Sequence, residues 1–325
     1  MGPVKRENGS LVSLYGLDPS SYVVHDLHSP GRTYIETNCY TDIIIELLNG
    51  GGYEPLALMG CTLRLDFEGD QWTFFKPAPA DLELLYGIDI HEMQPYRPLP
   101  EQAAEQILTG RTLIVELDSW YLPDTASTSY RTEHVKSSVA VEAIDREAER
   151  MRYFHGPSLY ELSGEDYRGV WRLGASLHGD VLPPYTELVR FDAGPALEGE
   201  YLRRAARTLM GEHLSRRPAS NPFERFGSSL ERDLPRLLQG DAGDYHAYAF
   251  ATVRMAGSAF EAAASMTAWL LQDEAAESAL LQIVEGCKAL SFRLARRREF
   301  DPGPTVERLA SAWDEAVTRL DACFA

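Results

Sequence analysis

The alternation of apolar and polar positions changes character once along the chain, close to Phe191. Before that point, short runs of period two alternate with short runs of period near 3.6, and Gly, Pro, Asp and Asn interrupt them often. Strands are predicted over residues 22–24, 71–76, 88–93, 112–117, 136–144 and 151–154, and helices over 39–48, 80–86, 100–108 and 164–170. A turn at 145–149 joins two of these strands into a hairpin. Beyond Asp192 the apolar residues recur at helical spacing over 198–214, 223–238, 245–271, 274–296 and 305–322, with breaks at 218–222, 240–243 and 301–304. The expected fold class is therefore α+β: an α+β domain over residues 1–192, followed by an all-helical bundle over 193–325. No internal repeat or low-complexity tract is present.

Composition narrows the function classes. The chain has 325 residues, 44% hydrophobic and 25% charged, enough to bury two cores. Its longest apolar stretches, residues 43–48 and the Ala-rich run near Ala262, meet charge well before the roughly 20 residues a membrane span needs, so no membrane contact is expected. The start, Met1-Gly2-Pro3-Val4-Lys5-Arg6-Glu7, lacks the apolar core of a secretory signal, and a cytoplasmic location with reduced thiols is expected. A formal charge of −18 argues against nucleic acid as a partner, because phosphate contacts need a surplus of Lys and Arg. The four cysteines, Cys39, Cys61, Cys287 and Cys323, show no CxxC pairing, so neither a disulfide framework nor a zinc ribbon is indicated. His25-Asp26-Leu27-His28 has metal-ligand residue types but no second cluster to complete a site, and no metal is expected.

One cysteine stands apart. Asn38-Cys39 opens the apolar helix that Asn49-Gly50-Gly51-Gly52 ends. A helix N-terminus offers unpaired N–H groups and the positive end of the dipole, which favour thiolate over thiol and can hold an oxyanion. Asn38 is a candidate oxyanion donor, and an N-cap by the same residue type. A nucleophilic cysteine needs an imidazole, and His134, just before the strand at 136–144, is the candidate. For either residue alone the plainer reading, a packed cysteine or a structural histidine, is the commoner one. The pair is what points to acyl transfer.

A Cys at a helix start, a later His at a strand start and a polar residue at the end of the next strand resembles the papain-like fold of bacteriocin-leader cysteine peptidases. The likeness is greatest to the N-terminal domain of the butirosin-biosynthesis acyl-carrier-protein acyltransferases. It rests on Asn38-Cys39, the helix ending in a Gly turn, Asp118-Ser119-Trp120-Tyr121-Leu122-Pro123 and the run from His134 to Asp145, and covers about residues 30–175. The whole chain is also similar to an uncharacterised bacterial family with phrases such as Asp70-Gln71-Trp72-Thr73-Phe74-Phe75-Lys76, Leu85-Tyr86-Gly87-Ile88-Asp89 and Tyr153-Phe154-His155. The acyltransferase resemblance implies transfer of an acyl group from a carrier-protein thioester to an amine. There is one departure: His155-Gly156-Pro157 stands where the leader peptidases have the orienting Asp-Pro. Either Asp118 supplies that carboxylate, or His155 holds His134, or the third member is dispensable.

The functional expectation is thus a cysteine-dependent acyl- or aminoacyltransferase. Cys39 is the nucleophile, His134 the base, Asp118 or His155 the orienting group and Asn38 the oxyanion donor. The partners are an acyl or peptidyl carrier protein bearing phosphopantetheine and a small-molecule acceptor; no cofactor is bound by the chain itself. Arg293, Arg296 and Arg297 offer a docking patch for the carrier's phosphate, which Lys288 and Arg254 could extend, or else they serve the C-terminal end of their helix. A cysteine hydrolase and a non-catalytic binding protein with a decayed triad are the alternatives.

Overall fold

The computed structural model describes residues 5–6, 10–174 and 183–325. The protein is α+β, with a sheet-containing N-terminal region and a helical C-terminal region. Its contacts divide it into two compact units, and the division does not follow a single cut at residue 192. Residues 1–28, 38–55 and 82–196 form the sheet unit; residues 29–37 and 56–81 join 197–325 in the helical unit.

The sheet unit holds β1 (Lys5–Arg6), β2 (Val12–Ser13), α1 (Cys39–Gly50), β5 (Asp89–Glu92), α3 (Leu99–Leu108), β6 (Thr112–Asp118), β7 (Lys136–Asp145), β8 (Arg150–His155), β9 (Ser158–Ser163), α4 (Glu165–Val170) and β10 (Thr186–Arg190). Between them in sequence lie β3 (Phe67–Glu68) and β4 (Gln71–Trp72), which belong to the helical unit, and α2 (Pro79–Tyr86), whose first turn does so as well. Among the described residues, eight antiparallel strands make one sheet. β7 is its spine: β6 and then β2 pair along one edge, and β8, followed by β9, along the other. The expected hairpin is β7–β8, whose turn Asp145 ties by accepting the Glu147 and Ala148 N–H groups at 3.1 and 2.9 Å.

β7 alternates cleanly enough to dress both faces of the sheet. Val139 and Val141 join Leu113, Val115 and Leu117 of β6 under α3, where Ala103 and Ile107 complete a dry core. The other face carries α1, whose Ile43, Ile44, Ile45, Leu47 and Leu48 are buried all around, the signature of a central helix. Asn38 caps α1, its side chain accepting the Thr41 N–H at 2.9 Å. At the far end Gly50 is required by packing, since a Cβ there would sit 2.9 Å from the Phe154 ring.

Two strand expectations fail. Residues 22–24 form no strand: Tyr22 instead bonds Glu46 of α1 at 2.5 Å, and Val23 is exposed. The run 71–76 contributes only Gln71–Trp72, because aromatic packing in the helical unit decides its path. Phe67 and Trp72 of the β3–β4 ribbon stack against Phe226 and Phe223 of α6 (Pro222–Gln239), with centroids 5.5 and 5.0 Å apart, and Phe223 meets Phe260. The remaining helices there are α5 (Gly199–Ser215), α7 (Ala242–Ala249), α8 (Met255–Leu270), α9 (Glu274–Ala295) and α10 (Gly303–Phe324). The single helix expected over 245–271 is interrupted at Phe250–Arg254 by a wider π turn. Residues 29–37 are held to α8 by Glu261, which accepts the Thr33 and Tyr34 N–H groups at 2.9 and 2.8 Å. No helix among the described residues is long and apolar enough to cross a membrane.

Candidate active site

Cys39 is the first residue of α1 and is partly exposed. The helix N-terminus therefore meets solvent where the thiol stands. Across from it lies the sheet, and the register shows which residues face it. Glu116 pairs with Ser138 and Asp118 with Lys136, so these four side chains share one face of the β6–β7 ladder. Ser138 Oγ lies 3.8 Å from Cys39 Sγ, which identifies that face as the cysteine's. Lys136, two positions nearer the strand's start, binds Glu116 at 2.7 Å. That hydrogen bond, then the Glu116 charge and the Cys39 sulfur, hold the Lys136 ammonium above its ordinary pKa against partial desolvation. Cys39 thus stands at a helix N-terminus, over the sheet face that also carries the Lys136 ammonium.

The same face continues to His134. Its Nδ1 is 2.7 Å from Asp118 Oδ2, and its ring lies flat on Trp120, with centroids 4.6 Å apart and planes 8° from parallel. The other oxygen of Asp118 accepts the Trp120 N–H at 3.1 Å. Asp118 therefore does both things considered for it: it caps the turn Ser119–Tyr121 and orients the imidazole. With Nδ1 committed to the carboxylate, Nε2 is the nitrogen free to exchange a proton. His134 is open to solvent, its side chain 66% exposed.

The structure does not join His134 to Cys39. The hydrogen-bond partner of the thiol is Ser138, and His134 precedes Ser138 by four residues, roughly 13 Å of extended chain. Nor does His155 hold His134. Its Nδ1 meets Asp124 Oδ2 at 2.5 Å and its Nε2 meets Ser137 Oγ at 2.7 Å. Ser137 pairs with Leu117, a member of the core under α3, so His155 serves the opposite face of the sheet from Cys39. A one-residue step along β7, from Ser138 to Ser137, separates the two environments.

Asn38 spends its carbonyl oxygen on the α1 cap; an oxyanion would have to draw on its amide. In the helical unit, Arg297 reaches the Gly240 carbonyl, Arg293 approaches the Asp301 carbonyl at 3.4 Å and the Phe300 ring, and Arg296 is the C-cap of α9. These contacts fit helix-end cations. Lys288 is 3.5 Å from Glu285, and Arg254 binds Glu36 at 2.8 Å, so neither joins that run in a shared cluster. His25 and His28 do not converge on one point: His25 lies 3.3 Å from Glu54, while His28 is fully buried between Asp42 and Glu46 of α1.

Sequence reasoning missed Lys136, Ser137, Ser138 and Asp124. The strand period marks 136 and 138 as one face and 137 as the other, but nothing local to the sequence says which face receives Cys39. Asp124 lies in the short 3-10 turn Pro123–Thr125, where Tyr153, distant in sequence, donates its hydroxyl to it.

Comparison with known families gives two matches. The DUF1839 N-terminal domain matches residues 23–191, and the DUF1839 C-terminal domain matches residues 199–322. No curated protein matches the chain.

Proposed function

This chain belongs to the DUF1839 family, and from its site we propose that it is a cysteine-dependent acyl- or aminoacyltransferase with a papain-like arrangement of helix and sheet. The observation that carries the reading is the sheet face itself. It places a cysteine at a helix N-terminus beside Lys136, and an Asp118–His134 dyad further along the same strand edge. Cys39 Sγ attacks the carbonyl of a carrier-borne phosphopantetheine thioester, and the pantetheine thiol leaves. A thioester asks little of the enzyme in this step, since the leaving group is a good one. The acyl group, held on Sγ at the start of α1, is then attacked by an amine or hydroxyl acceptor; the C–S bond breaks, the Cys39 thiolate leaves, and the acceptor's proton passes through water to His134 Nε2. Because His134 stands away from the thiol, its role is toward the acceptor, and Lys136, on the thiol's side of the sheet, is the cation assigned to the sulfur. The chain need bind no cofactor, since the carrier brings its own.

The test is a transfer assay with an acylated carrier protein and an amine. Cys39→Ala should abolish transfer, and His134→Ala should slow it by about 10²–10⁴-fold while leaving acylation of Cys39 detectable by mass spectrometry. Transfer undiminished in Cys39→Ala would end the proposal. A second reading, a non-catalytic binding protein, is favoured by one observation: the thiol faces the Ser138 hydroxyl rather than an imidazole. Iodoacetamide separates the two. Rapid alkylation of Cys39 at pH 6 that slows about tenfold in Lys136→Met belongs to the catalyst, and slow alkylation in both belongs to the binding protein. Water as sole acceptor in the same assay would instead make the protein a hydrolase.

A further inference from the structure

We propose that Ser137, His155 and Asp124 form a second, serine-based acyl-transfer site on the opposite face of the sheet, taking carboxylic esters as substrates. It is independent of the Cys39 reading.

The connectivity is that of a nucleophile, a base and an orienting acid. Ser137 Oγ lies 2.7 Å from His155 Nε2, and His155 Nδ1 lies 2.5 Å from Asp124 Oδ2. Each imidazole nitrogen therefore has the partner its role requires: Asp124 accepts the Nδ1 proton and fixes the tautomer, leaving Nε2 to accept from the Ser137 hydroxyl. The acid is itself fixed, because Tyr153 donates its hydroxyl to the other oxygen of Asp124. Burial grades correctly along the relay. The Asp124 and His155 side chains are 5% and 11% exposed, whereas Ser137 is only partly covered. Both nitrogens are engaged, and in the order that activates a hydroxyl: carboxylate on Nδ1, serine on Nε2.

The sheet also supplies an oxyanion donor. Ser119 N–H bonds Val135 O at 2.9 Å, and Glu116 N–H bonds Tyr185 O, away from β7. The hydrogen-bonded pairs of the β6–β7 ladder are therefore Ser119/Val135, Leu117/Ser137 and Val115/Val139, so the Ser138 N–H points to the other edge of β7. The β7–β8 register begins only at Ala140 opposite Phe154, and the ladder leaves that N–H unclaimed. That N–H, one residue after the Ser137 hydroxyl, is the backbone donor assigned to the oxyanion that forms on the attacked carbonyl.

In the reaction, Ser137 Oγ forms a bond to the ester carbonyl carbon as its proton moves to His155 Nε2. The C–O bond to the alcohol then breaks, and the alcohol takes that proton. Water, deprotonated by the same nitrogen, cleaves the acyl-serine to a carboxylic acid and restores Ser137.

The experiment is reaction of the full-length protein with a fluorophosphonate probe, followed by peptide mass spectrometry to locate the adduct. Ser137 lies directly after a tryptic site at Lys136, so its peptide is separate from that of Cys39. The expected result is an adduct on Ser137, absent in Ser137→Ala and formed at least about 100-fold more slowly in His155→Gln, with circular dichroism confirming that both variants are folded. No adduct on the wild-type Ser137, or labelling that His155→Gln leaves unchanged, overturns the proposal. Because neither measurement depends on Cys39, failure here leaves the carrier-protein reading untouched.

Discussion

His28 should make the stability of α1, the helix that carries Cys39, depend on pH in a direction opposite to most proteins' acid lability. Its imidazole is fully buried, with Nδ1 2.5 Å from Glu46 Oε1 and Nε2 3.2 Å from Asp42 Oδ1. Burial alone would depress its pKa. The hydrogen bonds and charges of Asp42 and Glu46 outweigh that and raise it from 6.5 to about 9. A group whose folded pKa is raised contributes stability that is complete below its unfolded pKa. That contribution is lost as the pH rises through the folded one. The window is therefore from 6.5 to about 9, and the linked free energy is on the order of 3 kcal/mol. Hydrogen exchange of the α1 amides, corrected for the intrinsic rate, reads this locally. Protection should fall by on the order of 10²-fold between pH 6 and pH 10 in the wild type. A His28→Gln variant, which keeps one donor group, turns a carbonyl oxygen toward a carboxylate and does not titrate, should be less protected at pH 6 and show little of this fall. Wild-type protection that stays within about threefold across the window would refute the buried imidazolium.

Asn38→Ala should cost about 1 kcal/mol of stability through loss of the α1 cap, measured by urea denaturation. Asn38→Ser restores the cap but not the amide, so transfer that stays about 10-fold or more below wild type in that variant would assign Asn38 an oxyanion role. Gly257→Ala should destabilise the helical unit by about 1–3 kcal/mol, because a Cβ there would lie 2.4 Å from the Tyr34 ring; a stability unchanged within error would show that residues 29–37 are not held to α8. Glu261→Gln should loosen the same segment and raise its exchange rate, because it weakens the charged acceptor of the Thr33 and Tyr34 N–H groups and leaves Arg32 without its carboxylate.

The sequence by itself determined the local elements and the residues with chemical potential. Periodicity placed α1, α3, β6, β7, β8 and most of the helices beyond residue 198 within a few residues, because each is specified by its own repeat of apolar positions. The Asn38-Cys39 helix start and the Asp118 strand end were legible for the same reason: caps and strand ends are short-range features. The weak strands Val12–Ser13, Ser158–Ser163 and Thr186–Arg190 were not, since they owe their state to the ladder on β7, β8 and β6 rather than to their own pattern. Only the tertiary structure could decide that Asp118 rather than His155 holds His134, that the thiol meets Ser138, and that segments 29–37 and 56–81 pack with the helical unit. Each of these turns on which face of β7 a residue occupies, or on which distant aromatic a short ribbon meets. A period of two names the two faces of a strand but cannot say what covers either; that is settled by the long-range packing of α1 on one side and α3 on the other.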